Sequence, residues 1–173
     1  MSIRVVEPET IFSMEGNDRS LNGAERPIVR PAREMIIGPG DLPTRWAELP
    51  SRASEQPRLG QRDYAAAKYV LMDDRKEKGQ ISFETIVYKD HKMAVDVLVG
   101  MVSKMATLKL SRLDLGDAGV MIEAEGKVGR KMKAVAFIER NVYGLIMLSA
   151  DSASNISDPW LISMARIMAS RMR

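Results

Sequence analysis

The chain has 173 residues, 45% of them apolar and 28% charged, with a formal charge of +3 and no cysteine. That length suits one domain with a real core, and the missing cysteine excludes disulfides, thiolate nucleophiles and cysteine-ligated zinc or iron–sulfur centres. No 18 consecutive apolar residues occur, so no membrane span is expected, and so small a charge does not by itself argue for a polyanionic partner.

Seven of the eight prolines fall at positions 8, 27, 31, 39, 43, 50 and 57, a spacing that no long helix or central strand survives. The nine basic residues before Asp63 are all arginines and are matched by nine acids, so the whole net charge sits in the remainder. Residues 1–32 are therefore expected to form an irregular or partner-bound arm, and 33–173 a single α+β domain. MSIRVVEPETIFSMEGND has no apolar run of signal-peptide length, which makes a cytoplasmic location the expectation. Within MIIGPGDLPTRWAELP, Met35, Ile36 and Ile37 suggest a short strand, GPGDLP is turn chemistry, and Trp46 and Leu49 are anchors that should dock on the body.

From Ala65 onward the periodicity changes. AAAKYVLMD and QISFETIVYK read as an antiparallel pair joined by the polar connection DDRKEKG. DHKMAVDVLVGMVSKMA has helical spacing, with Ala94, Val97, Leu98, Met101 and Met105 on one stripe and Asp90 as its N-cap. In TLKLSRLDL the leucines change parity between 110 and 113, which suggests a bulge near Arg112, and Gly116-Asp117 offers a two-residue turn into AGVMIEAE. MKAVAFIE and VYGLIMLSA are joined through Arg140-Asn141, and the second, apolar on both faces, belongs in the middle of the sheet. SDPWLISMARIMASRMR closes the chain as an amphipathic helix, with Asp158 as the expected cap before Pro159. The fold class is α+β: a mostly antiparallel sheet of about six strands with two main helices packed on it, after a Pro/Arg-rich arm.

No residues stand out as catalytic, cofactor-binding or metal-ligating, and no cofactor is implied. His91 is the single histidine, so a multi-histidine metal site is impossible within this chain. A serine nucleophile elbow, a phosphate loop and a dinucleotide fingerprint are all missing. The basic loop GKVGRKMK contains a GxxG, yet strand-like alternation flanks it where a nucleic-acid clamp of the KH type needs helices. A hairpin register that sets Glu125 against Lys131, Glu123 against Lys133 and Met121 against Val135 answers two of its four cations, leaving Lys127 and Arg130 as a free positive tip.

Three functional readings follow. The first is a noncatalytic protein-binding, accessory or assembly subunit, with another protein or a second copy as partner and with Arg30, Arg33, Trp46, Lys127 and Arg130 as contacts. The alternative is a small-ligand binder or enzyme with a pocket between sheet and arm, where Glu84, His91 and Arg112 would act. Nucleic-acid or anion binding through the hairpin tip and C-terminal arginines stands last, because the neighbourhood has no stacking aromatic pair. From DLPTRW onward, the order of elements, the apolar hairpin AVAFIERNVYGLIML and the closing helix resemble the PsbP-like group of α/β proteins over about residues 33–173. The layout is also similar to small prokaryotic lipoprotein domains with a DLP…W segment, although the lipobox cysteine is missing here. The resemblance implies docking or assembly work without catalysis.

Overall fold

The computed structural model describes residues 26–50, 60–105, 109–125, 129–154 and 156–173. Among them, seven strands form one antiparallel sheet in the order β1-β2-β3-β7-β6-β5-β4. The strands are β1 (Trp46–Leu49), β2 (Gln61–Asp73), β3 (Lys76–Tyr88), β4 (Lys109–Leu113), β5 (Ala118–Glu125), β6 (Arg130–Glu139) and β7 (Val142–Asp151). Three helices accompany them: the single turn α1 (Ala32–Met35), α2 (His91–Lys104) and α3 (Asp158–Met172). The seventh strand is β1, a four-residue edge in the proline-rich stretch, while Met35, expected in a strand, closes α1 instead. Pro31 fixes the backbone just ahead of that helical turn, and Met35 and Ile37 are both fully buried.

β2 and β3 run on through the charged residues between their apolar parts. Asp73 pairs with Lys76, so the connection is only Asp74-Arg75 rather than the whole of DDRKEKG. Both turn residues have positive φ, 47° and 61°, the geometry that suits the right-handed twist of a two-residue hairpin. β7 lies fourth of seven, in the centre, as its two apolar faces require. The β5–β6 register is the one the charges indicate: Met121 opposite Val135, Glu123 opposite Lys133, Glu125 opposite Lys131.

The helices cover opposite faces. Ile81, Phe83, Val135, Phe137 and Ile146 point into a core with α3, α1 and the described part of the arm. Ile86, Tyr88, Val120, Ile122, Ala136 and Ile138 point into a second core under α2, where Ala94, Leu98 and Val102 are buried. Two-sided burial also explains the leucine parity of β4, which pairs with β5 without a bulge: Leu110 enters the α2 core and Leu113 packs against the other. The β4–β5 connection spans residues 114–117, longer than two residues, and Gly116 takes φ 60° where an added Cβ would lie 2.3 Å from the Ile138 carbonyl oxygen.

Residues 26–50 lie along the α3 face. Ile28 and Ala32, inside the segment assigned from the sequence to the arm, are already buried. The Asn141 side chain holds the chain there, accepting from Ile28 N at 2.6 Å and donating to Ile28 O at 3.0 Å and Tyr88 O at 2.9 Å. Asp63 accepts from Ala32 N at 2.7 Å, and Tyr69 donates to Ile37 O at 3.1 Å. Residues 1–25 lie outside the described residues. No helix among the described residues is long and apolar enough to cross a membrane.

Candidate functional site

α2 begins where Asp90 accepts from Met93 N at 2.9 Å, and its 14 residues span about 21 Å. It covers the half of its sheet face nearest the β6–β7 turn. The other half carries no helix among the described residues, and the register sets two rows there, of which the β5 end of the first, Ile122, is buried in the α2 core. Lys68, Ser82, Met147, Ala134 and Ile122 form one row, and Val70, Gln80, Ser149, Met132 and Ala124 form the next. Each row crosses five strands, a length of about 19 Å at ordinary strand spacing.

These rows floor a trough of about 240 Å³, with Met105 just past the end of α2 as one wall. Met132 and Met147 rise from it 39% and 42% exposed, among the few large apolar side chains of the described residues left open to solvent. Lys68, Gln80 and Ser82 line it from β2 and β3, whereas β5 and β6 supply Ile122, Ala124, Met132 and Ala134 together with Lys133, which pairs with Glu123 and Asp158. Arg130 borders the second row, donating from Nε to Ser149 Oγ at 3.2 Å and from Nη2 to Glu77 Oε1 at 3.1 Å. Lys68 forms no ion pair among the described residues.

The residues singled out from the sequence fare differently. Trp46 stacks on Trp160 of α3, rings nearly parallel and centroids 5.9 Å apart, so its face is taken within the chain. Arg30 donates to the Arg171 carbonyl and is exposed, as is Arg33. Arg130 is not the free cation the hairpin suggested, being held by Glu77, and Lys127 lies outside the described residues. The C-terminal arginines are answered as well. Arg171 grips Asp41 through two hydrogen bonds, 2.8 and 2.6 Å, and Arg173 lies 3.8 Å from Glu139. The Arg171 guanidinium holds the Asp41 carboxyl below its ordinary value of 3.8, against the opposing effect of partial burial.

Glu84, His91 and Arg112 are not gathered around a pocket between sheet and arm. Glu84 and Arg112 stand on the α2 face, opposite the arm, in the register row Glu84, Leu145, Ala136, Val120, Arg112. Four strand spacings, about 19 Å, separate them. Glu84 instead accepts from the Tyr64 hydroxyl at 3.2 Å. His91 Nδ1 lies 2.7 Å from the Arg140 carbonyl, and because a carbonyl only accepts, that nitrogen carries the proton. Asp117 Oδ2, 3.9 Å from the same nitrogen, accepts from Arg140 N at 2.6 Å, which completes a polar brace around the β6–β7 turn. The α3 cap is Ser157, accepting from Trp160 N at 3.3 Å, while Asp158 pairs with Lys133. No group of three or more His, Asp or Glu among the described residues is placed to hold a metal ion.

A second cleft, about 410 Å³, lies between Arg45, Leu71, Asp73, Lys78, Asp151 and Ser154, where cations and acids balance. The trough is the more distinctive of the two, because no element among the described residues covers its Met132 and Met147. The sequence signal for it was weak: Met132 and Met147 sit at strand positions that read as core, and only the reach of α2 decides which of them are covered.

No family profile matches the chain, and no curated protein does. Among solved structures, the extracellular domain of PknH from Mycobacterium tuberculosis is similar at a TM-score of 0.46 and 11% identity, over 65% of this chain and 65% of that one. A likeness of that size carries no argument about function.

Proposed function

We propose that the protein is a noncatalytic protein-binding subunit, an accessory or assembly factor of a larger complex in the cytoplasm, and that it belongs with the PsbP-like group it resembles. The observation that supports this reading above all is the half of the sheet face that α2 does not reach and that no other described element covers, where Met132 and Met147 stand 39% and 42% exposed over a floor of alanine, isoleucine and serine. Two exposed methionines on one sheet face, rimmed by polar residues, suit a contact surface, and methionine adapts its shape to a partner at little cost. The rest of the molecule supplies rigidity: seven hydrogen-bonded strands, two cores, and an arm pinned by Asn141, Asp63 and Asp41.

Affinity purification from the source cell tests the reading, with wild type beside Met147→Glu. Wild type should retain a stoichiometric partner that the variant loses while keeping its circular dichroism and melting curve. Identical partner sets for the two proteins, or no partner with either, would overturn it.

A further inference from the structure

The chemistry of the strip that α2 does not reach narrows what can cover it. Its first row is open across β2, β3, β7 and β6 and its second runs on to Ala124 of β5, up to about 19 Å in all, the length of roughly thirteen helical residues, and two rows are about one helix wide. The opposite face carries two elements side by side, α3 and the arm with α1, whereas this face carries α2 alone among the described residues. An extended segment suits the strip poorly. Laid on a sheet face rather than an edge, it would set its backbone N–H and C=O groups against Met132, Met147 and Ile122 with nothing to pair them. A helix satisfies those groups internally and presents side chains only. Charge fixes which way it lies: the exposed Lys68 stands at the β2 end beside Ser82 and Gln80 with no ion-pair partner among the described residues, while the cations at the β6 end are answered, Arg130 by Glu77 and Lys133 by Glu123 and Asp158.

We infer that the trough takes an amphipathic α-helix of the partner protein, about thirteen residues long in contact, with an acidic residue at the end that meets Lys68. The inference rests on the protein-binding reading. Apolar side chains of the helix pack between Met105, Met132 and Met147 over the small residues Ala124, Ala134 and Ser149. The carboxylate binds Lys68 with Ser82 and Gln80 as hydrogen-bonding neighbours, the helix-in-groove mode of recognition.

Two synthetic 18-residue amphipathic helical peptides test it, identical except that one carries glutamates and the other lysines flanking a leucine face. Both are titrated by fluorescence anisotropy against the full chain at low salt. The glutamate peptide should bind about fivefold more tightly than the lysine peptide, and Lys68→Glu should reverse that preference. Met147→Glu should weaken the glutamate peptide by about tenfold or more. Equal binding of both peptides, no binding, or indifference to both substitutions overturns the inference. So does decanoate binding at Met147, read from its methyl resonance, when neither peptide binds: that result assigns the trough to an apolar anion. A dimer in sedimentation that Met147→Glu dissociates, with no peptide bound, assigns it to a second copy. If the cellular partner is lost with Met147→Glu while the peptides show no charge preference, the protein-binding reading stands and only the acidic helix falls.

Discussion

Replacing Asn141 by alanine should undock the arm. Its side chain, 1% exposed, satisfies three buried backbone groups: Ile28 N, Ile28 O and Tyr88 O, at 2.6, 3.0 and 2.9 Å. Truncation removes all three bonds at once and leaves those groups facing a hole lined by Ile28 and the β6–β7 turn. A buried polar group stripped of its partner costs roughly 1–3 kcal/mol. Ile28 can recover water by lifting away, so each term belongs near the low end and the total near 3 kcal/mol. For a chain of this size that corresponds to a fall in Tm of about 6–12 °C. Urea unfolding followed by circular dichroism measures the loss, and amide exchange at Ile28 reports whether the arm opens first. Asn141→Asp should cost at least as much, because its carboxylate would face the two carbonyls that the amide now serves. A loss below about 1 kcal/mol, or an unchanged Ile28 exchange rate, would refute the clamp.

Three further outcomes are expected. Gly144 lies beneath Phe137, and a Cβ there would stand 2.4 Å from the ring, so Gly144→Ala should destabilise by about 2 kcal/mol and Phe137→Leu should relieve much of it, read by denaturant melts of the single and double variants. Asp41 is held below its ordinary value by Arg171, so its contribution is present above pH 3.8 and lost as pH falls through the folded value; Asp41→Asn should remove roughly 1 kcal/mol at pH 7 and flatten the acid limb of stability against pH. Burial pushes the Tyr69 hydroxyl up to about 12 from 10.0, so its contribution is present below pH 10 and lost as pH rises toward 12. Tyr69→Phe should make the alkaline limb shallower, after an initial loss of about 1 kcal/mol for the bond to Ile37 O.

What the sequence disclosed depended on whether a local pattern had one cause. The β5–β6 hairpin was readable to the residue because Glu123 and Lys133 can meet only in the register that also pairs Met121 with Val135. The leucines of β4 misled because a parity change has two causes, a bulge or burial on both faces, and residue spacing does not separate them. Asp74-Arg75 hid a two-residue turn, since neither residue is the glycine or asparagine that usually advertises positive φ. β1 was obscured by the prolines on either side of WAEL, which exclude a central strand but permit a short edge. Arg130 reads as free within its own hairpin because Glu77, its partner, lies 53 residues away on a strand that only the sheet order brings close. The trough depends on which half of the face α2 reaches, a distance between elements that no window of sequence contains.

Site-specific photo-cross-linking tests the docking surface most directly. A photoreactive benzoylphenylalanine is placed at Met147 in the trough or, in a second protein, at the exposed Arg166 on α3, and each full chain is irradiated in the source cell. The expected result is one discrete protein adduct from position 147, none from position 166, and an attachment point on an amphipathic helix of the captured protein. Equal labelling from both positions, or an adduct at 147 formed only with lipid or with another copy of this chain, would contradict the docking surface.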